Sequence, residues 1–141
     1  MILEKIINKD DTNKLFYIEK KIFKNEAYSL KQIEEIIFMK NYTSYFIKEK
    51  DIINGYIIIF DNSEAFEIMK IGVLEKKRKI GIGEKLIKKI KEKEKNIFLE
   101  VRENNISAIS FYEANGFKKI GIRKNYYKNK EHAILMLFSK K

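Results

Sequence analysis

Residues 71–83, IGVLEKKRKIGIG, change hydrophobic period in mid-course, and a chain that does this must turn from strand to helix within a few residues. Upstream the apolar residues suit a strand. Downstream Leu86, Ile87 and Ile90 recur at helical spacing with Lys and Glu on the other face. Residues 78–83 therefore lie at the junction. Gly81 and Gly83 carry no Cβ, so the backbone there can turn tightly and bring amides against a ligand. The first N–H groups of the helix lack internal partners and attract anions. Arg78, Lys79 and Lys85 add positive charge. A glycine-softened helix start with solvated lysines accounts for the same residues, so this stretch alone leaves both readings open. A dinucleotide fingerprint fails because Leu86 occupies the place of the third glycine. A P-loop fails because no Gly-Lys-Ser/Thr closes the turn.

The 141 residues suffice for one domain, spanning 1–141, and are too few for two. A net charge of +10 admits an acidic partner, but Lys is dispersed along the chain and Arg occurs only at positions 78, 102 and 123. Phosphate-reading proteins concentrate their basic residues and favour Arg, which argues against nucleic acid as the main partner. Without Cys there is no disulfide, thiolate ligand or acyl-Cys intermediate. Apolar runs fall far short of the roughly 20 residues of a membrane span. Met1 is not followed by a signal-peptide pattern, so the cytoplasm is the expected location.

Along the chain, Ile2, Leu3, Ile6 and Ile7 suggest a first strand. Asp10, Asp11 or Thr12 is expected to cap a helix whose Leu15, Ile18, Ile22 and Phe23 share a face, breaking near Asn25. Ser29 opens a second helix, with Gln32 completing a capping box. Residues 43–48 and 52–60 form a hairpin, and turn chemistry alone puts its turn at Asn54-Gly55. In residues 66–74, Phe66 and Ile68 alternate, then Ile71 and Val73 alternate on the opposite parity. One extra residue near Met69 or Lys70, a β-bulge, would explain the break; so would a strand buried on both faces. Residues 97–101 are an apolar strand interrupted by Glu100. Asn104 or Asn105 caps a helix that carries Ile109, Phe111 and Tyr112 and stops at Asn115-Gly116. Residues 117–123 and 133–138 are the last strands. Helices between strands four and five and after strand five force a parallel pair there, while the earlier and final hairpins are antiparallel, giving a mixed α/β sheet.

The order Arg78, Gly81, Gly83 resembles the R/Q-x-x-G-x-G/A pyrophosphate loop of the GCN5-related N-acetyltransferases (GNAT), which bind acetyl-coenzyme A. The run FLEVRENNISAISFYEANGFKKIGIRKNYY is similar to the signature of the branch that acetylates the N-terminal alanine of bacterial ribosomal proteins, and to related archaeal and eukaryotic N-terminal acetyltransferases. The resemblance implies the GNAT fold: helices on both faces of a mostly antiparallel sheet, with strands four and five parallel and splayed apart. It moves the hairpin turn to residues 49–51 and leaves Gly55 inside the third strand. It implies that the bulge opens a V-shaped gap for the pantetheine arm. The backbone of Ile71, Gly72 and Val73 would receive acetyl and pantetheine, and Lys79, Ile80, Gly81, Ile82, Gly83 and Glu84 the pyrophosphate, with Arg78, Asn105 and Tyr112 as further cofactor contacts. A branched side chain at Gly83 would then stand where the pyrophosphate sits.

Amide formation from a thioester needs a neutral amine, a base for its proton and an acid for the leaving thiolate, but no metal. The resemblance assigns the base to Glu100, partly desolvated on an apolar strand, and the acid to Tyr112. On the residues alone, a strand-end carboxylate in water accounts for Glu100 better than a base does, and a core aromatic with its hydroxyl at the surface accounts for Tyr112 better than an acid does. Tyr126 and Tyr127 match the family's paired tyrosines near the peptide site, and Tyr28 lies in the connector that borders the acceptor. Two departures stand out. Ala27, Tyr28 and Ser29 replace a common Pro-Trp-Ser, and Glu131, His132 and Ala133 replace Glu-Asp-Ala. The expected activity is transfer of acetyl from acetyl-coenzyme A to a protein N-terminus, a ribosomal protein's foremost. The rivals are acetylation of a small amine, such as a polyamine or antibiotic, and a non-catalytic module that senses acetyl-coenzyme A or binds RNA.

Overall fold

A computed structural model describes residues 1–6 and 8–140. In chain order the elements are β1 (Ile2–Lys5), α1 (Lys9–Phe23), α2 (Leu30–Phe38), β2 (Tyr42–Glu49), β3 (Ile52–Asp61), β4 (Ala65–Val73), α3 (Ile82–Lys91), β5 (Asn96–Arg102), α4 (Ile106–Ala114), β6 (Lys118–Arg123) and β7 (Ala133–Phe138). Short 3-10 turns occupy Lys24–Glu26 and Glu75–Lys77. The strands form one sheet in the order β1-β2-β3-β4-β5-β7-β6, and every neighbouring pair is antiparallel except β4–β5. A parallel pair needs a crossover that packs on the sheet, and α3 supplies it. Ile7, expected in the first strand, lies outside the described residues.

One expectation about local structure is corrected, and of the two hairpin turns weighed the one that the resemblance implies is found. α1 is capped by Asn8, whose side chain accepts from the Asp11 amide at 2.8 Å, rather than by Asp10, Asp11 or Thr12. Asn caps as well as Asp, and placing the cap earlier leaves Asp10 and Asp11 in the first turn, where a carboxylate suits the helix dipole. The β2–β3 turn falls at Lys50 and Asp51, as the family resemblance implies, and Asn54-Gly55 is no turn. Ile47 pairs with Gly55 and Lys48 with Ile53, so Asn54 is the extra residue of a bulge inside β3. The capping box at Ser29 and Gln32 is present as expected.

Helices cover both faces. On one, Ile82, Leu86, Ile87 and Ile90 of α3 pack with Tyr112 of α4 onto Ile57, Ile59, Ile68, Ile97, Leu99 and Val101. Leu86 and Ile87 are fully buried, and each such side chain contributes about 1.5–3 kcal/mol. On the other, Leu15 and Ile18 of α1 and Ile33 of α2 pack onto Phe46, Ile53, Tyr56 and Ile58. Among the described residues no helix is long and apolar enough to cross a membrane.

Candidate active site

Irregular pairing opens the site. Ile58 pairs with Lys70 and Ile59 with Ile68, which leaves Met69 as the extra residue of a bulge in β4, at the expected phase break. On its other edge β4 pairs with β5 only through Ala65–Asn96, Phe66–Ile97 and Glu67–Phe98. Beyond that the strands part, while β5 continues along β7 as far as Arg102. Ile71, Gly72 and Val73 keep their pairing to β3. Their groups facing β5 have no ladder partner and can pair with an extended ligand.

Below the gap the chain makes the glycine turn. Arg78 Nε donates to the Val73 carbonyl at 3.1 Å, tying its side chain to the strand end. Lys79 and Gly81 are left-handed, with φ of 66° and 88°. Glycine adopts that conformation without strain. The Lys85 amide bonds back to the Gly81 carbonyl at 3.1 Å, so the amides of Ile82, Gly83 and Glu84 before it have no partner within the helix, as an anion site requires. Lys79, Ile80 and Glu84 are exposed around them. The expectation for Gly83 needs correcting. A Cβ there would stand 2.8 Å from the Phe111 ring, so the missing side chain serves the close contact of α3 with α4.

β5 alternates, with Ile97, Leu99 and Val101 buried and Phe98, Glu100 and Arg102 half-buried on the opposite face. Glu100 Oε1 lies 3.4 Å from the Arg123 guanidinium, and its Oε2 is buried with no hydrogen-bond partner among the described residues. A buried carboxylate oxygen with spare acceptor capacity is where an amine or a relaying water would bond. Tyr112 belongs to the other face. It is 7% exposed, with Phe111 and Phe117 rings at 5.4 and 5.6 Å. Burial pushes its phenol above the usual tyrosine range; like any tyrosine it is protonated at neutral pH, the form a proton donor needs. The two thus flank β5 from opposite sides. Of the two expected caps, Asn105 is the one that closes α4: its side-chain oxygen accepts from the Ala108 amide at 3.2 Å.

The third part is a polar wall on the Glu100 face. Tyr126 and Tyr127 meet edge to face at 5.1 Å, and the guanidinium groups of Arg123 and Arg102 lie 4.8 and 4.0 Å from their ring centres. Arg102 also reaches Glu26 of the α1–α2 connector at 3.1 Å and Glu131 at 3.7 Å. Tyr28 sits in that connector, its amide donating to Glu19 at 2.7 Å. Burial first, and Glu19 second, push its phenol up. Glu19, Lys70, Arg102 and Arg123 were not among the residues expected here. Glu19 had a signal, since it sits with Leu15, Ile18 and Ile22 on the buried stripe of α1, where a carboxylate is out of place. His132 braces the β6–β7 connector, its Nδ1 accepting from the Asn125 amide at 3.0 Å and its amide donating to Glu103 at 3.3 Å. A separate groove of about 970 Å³ between α1 and the β2–β3 turn holds none of the expected site residues. No group of three or more His, Cys, Asp or Glu could hold a metal among the described residues.

The family model described as "Acetyltransferase (GNAT) domain" matches residues 40–119. N-alpha-acetyltransferase 50 of Danio rerio is 34% identical over 127 residues, covering 74% of this chain and 76% of the relative. The crystal structure of the ribosomal-protein-S18-alanine N-acetyltransferase from Escherichia coli superposes with a TM-score of 0.84 at 23% identity, covering 98% of this chain and 95% of that one. An aminoglycoside 6'-N-acetyltransferase complexed with coenzyme A also reaches 0.84, at 16% identity, covering 97% and 96%. At such identities the structural likeness speaks for the fold, since one architecture serves acceptors as different as these.

Proposed function

This chain belongs to the GNAT acetyltransferase family and is an acetyl-transferring enzyme, and we propose that it moves acetyl from acetyl-coenzyme A to the N-terminal amine of a protein, ribosomal proteins being the first class to test. The observation that carries the reading is the gap between β4 and β5, with Glu100 on one side of β5 and Tyr112 on the other.

In this reading the open backbone of residues 71–73 pairs with the pantetheine arm and holds the thioester in the gap. The amides of Ile82, Gly83 and Glu84 take the pyrophosphate, and the side-chain Nδ2 of Asn105 remains for the cofactor. The acceptor enters along Tyr28, Tyr126 and Tyr127. Its amine, neutral and close to Glu100, attacks the thioester carbon: a C–N bond forms and the C–S bond breaks. Glu100 receives the proton lost by nitrogen, through water where the amine does not reach it. Tyr112 gives its proton to the departing sulfur and recovers one from solvent. Holding both substrates together supplies much of the acceleration, and no covalent enzyme intermediate is needed.

The aromatic wall supports a peptide acceptor, because rings and paired guanidinium groups can flank a chain on both sides of its N-terminus. Turnover across ribosomal-protein N-terminal peptides, polyamines and aminoglycosides is the test. Peptides should be acetylated at a kcat/KM at least about 100-fold above any small amine, roughly 2.7 kcal/mol of discrimination. Turnover confined to the small amines would overturn the acceptor assignment, and cofactor binding without turnover of any amine would overturn catalysis.

A further inference from the structure

Glu19 is 1% exposed yet accepts from three donors: the Tyr56 hydroxyl, the Tyr28 amide at 2.7 Å and the Lys70 ammonium at 2.5 Å. Lys70 is itself largely buried, its side chain 14% exposed. Its nitrogen lies 4.1 Å from the ring centres of both Phe23 and Tyr28 and donates to the Glu26 carbonyl at 3.1 Å. Three of these partners, Phe23, Glu26 and Tyr28, belong to the segment that closes α1 and leads to α2. Lys70 belongs to β4, directly between the Met69 bulge and the open backbone of residues 71–73. A buried ion pair is a poor source of stability, because desolvating two charges offsets most of their attraction and an apolar pair of similar volume does as well. What this pair does that an apolar pair cannot is fix direction. One ammonium aims at a carboxylate, a carbonyl and two ring faces at once.

The geometry points to Lys70, held by Glu19, as the positioning residue of the acceptor wall: it locks the connector carrying Tyr28 to the strand that lines the gap, and so sets acceptor binding while leaving cofactor binding alone. This rests on the placing of Tyr28 at the acceptor site. The bulge explains why a lysine can do it. The extra residue at Met69 brings Lys70 opposite Ile58, on the α1 face of β4.

Three variants test this: Lys70→Met, Lys70→Arg, and Glu19→Gln combined with Lys70→Met. Lys70→Met should raise the KM for an acceptor peptide about 10-fold, with kcat within about threefold and the Kd for acetyl-coenzyme A within about twofold. Lys70→Arg, which keeps a cation over both rings, should recover most of the affinity. The double variant leaves no buried charge unpaired, so it separates positioning from mere neutralisation. Its peptide KM should stay raised, and a KM restored to that of wild type would overturn the proposal. So would a kcat and a cofactor affinity that fall together with melting temperature. Amide hydrogen exchange of residues 24–28 with acetyl-coenzyme A bound gives a readout independent of the acceptor. Exchange should quicken about 10-fold or more in Lys70→Met, and unchanged exchange would overturn the locking. If wild type acetylates no peptide while exchange still quickens, the acceptor assignment falls and the lock stands.

Discussion

The two faces of the sheet are built on different principles. Under α3 and α4 the buried cluster is aliphatic and aromatic, with Tyr112 as its one residue that carries a polar side-chain group. Under α1 and α2 lie all five of the buried polar or charged residues among those described: Asp11 and Thr12 near the start of α1, Glu19 on its buried stripe, and Ser44 and Asn54 on the strands beneath. The first face holds one helix start and one phenol beside the gap, for which rigid apolar packing suffices. The second supports the α1–α2 connector, and directional polar bonds hold an irregular segment where apolar contacts would leave it free to slide. On the proposed function, the difference separates what transferring acetyl requires from what choosing an acceptor requires.

The largest effect that would sharpen this contrast is at Tyr112. Tyr112→Phe keeps the ring between Phe111 and Phe117 and removes only the proton donor. Turnover should fall about 10²- to 10⁴-fold, roughly 3–5 kcal/mol of barrier, with cofactor affinity and melting temperature held. Steady-state acetylation beside a binding isotherm checks it, and a rate within about threefold of wild type would make Tyr112 a packing residue like its neighbours. Next comes Gly83→Val, which drives a branched side chain into the Phe111 ring. Stability should drop by about 1–3 kcal/mol in denaturant unfolding. A variant that unfolds like wild type yet binds acetyl-coenzyme A about 10-fold more weakly would return Gly83 to the ligand side of the loop. The smallest effect belongs to the polar face. The Ser44 hydroxyl is buried with no partner among the described residues, so Ser44→Ala should leave stability unchanged or raise it by up to about 1 kcal/mol. A loss larger than that would mean that the hydroxyl is bonded, through water, in the folded protein.

Much of the apolar face was legible because its signals are local and periodic. Leu86, Ile87 and Ile90 announce α3, the parity change between Ile68 and Ile71 announces the Met69 bulge, and Arg78, Gly81 and Gly83 announce the turn. The polar wall was legible only where the family resemblance touched it, at Tyr28, Glu100, Tyr126 and Tyr127. Lys70, Arg102 and Arg123 look like any other basic residue in a chain with a net charge of +10. Their partners are remote in sequence: Lys70 meets Glu19, Arg102 meets Glu26 and Arg123 meets Glu100. No periodicity encodes such meetings. Asn54-Gly55 misled turn chemistry for a related reason, since a bulge inside a strand and a hairpin turn ask for the same residues.

The seam between β4 and β5 has a mechanical meaning. Four strands stand on one side of it and three on the other, joined in the sheet by three residue pairs at one end. The α1–α2 connector with Tyr28 rides on the first group, and Tyr126 and Tyr127 ride on the second. They are the jaws of a vice whose screw is the seam. At its open end Arg102 reaching Glu26 is a light latch between partly exposed side chains, worth at most about 1 kcal/mol. In the proposed reading, a donor wedged along the seam therefore sets the spacing of the jaws that an acceptor meets.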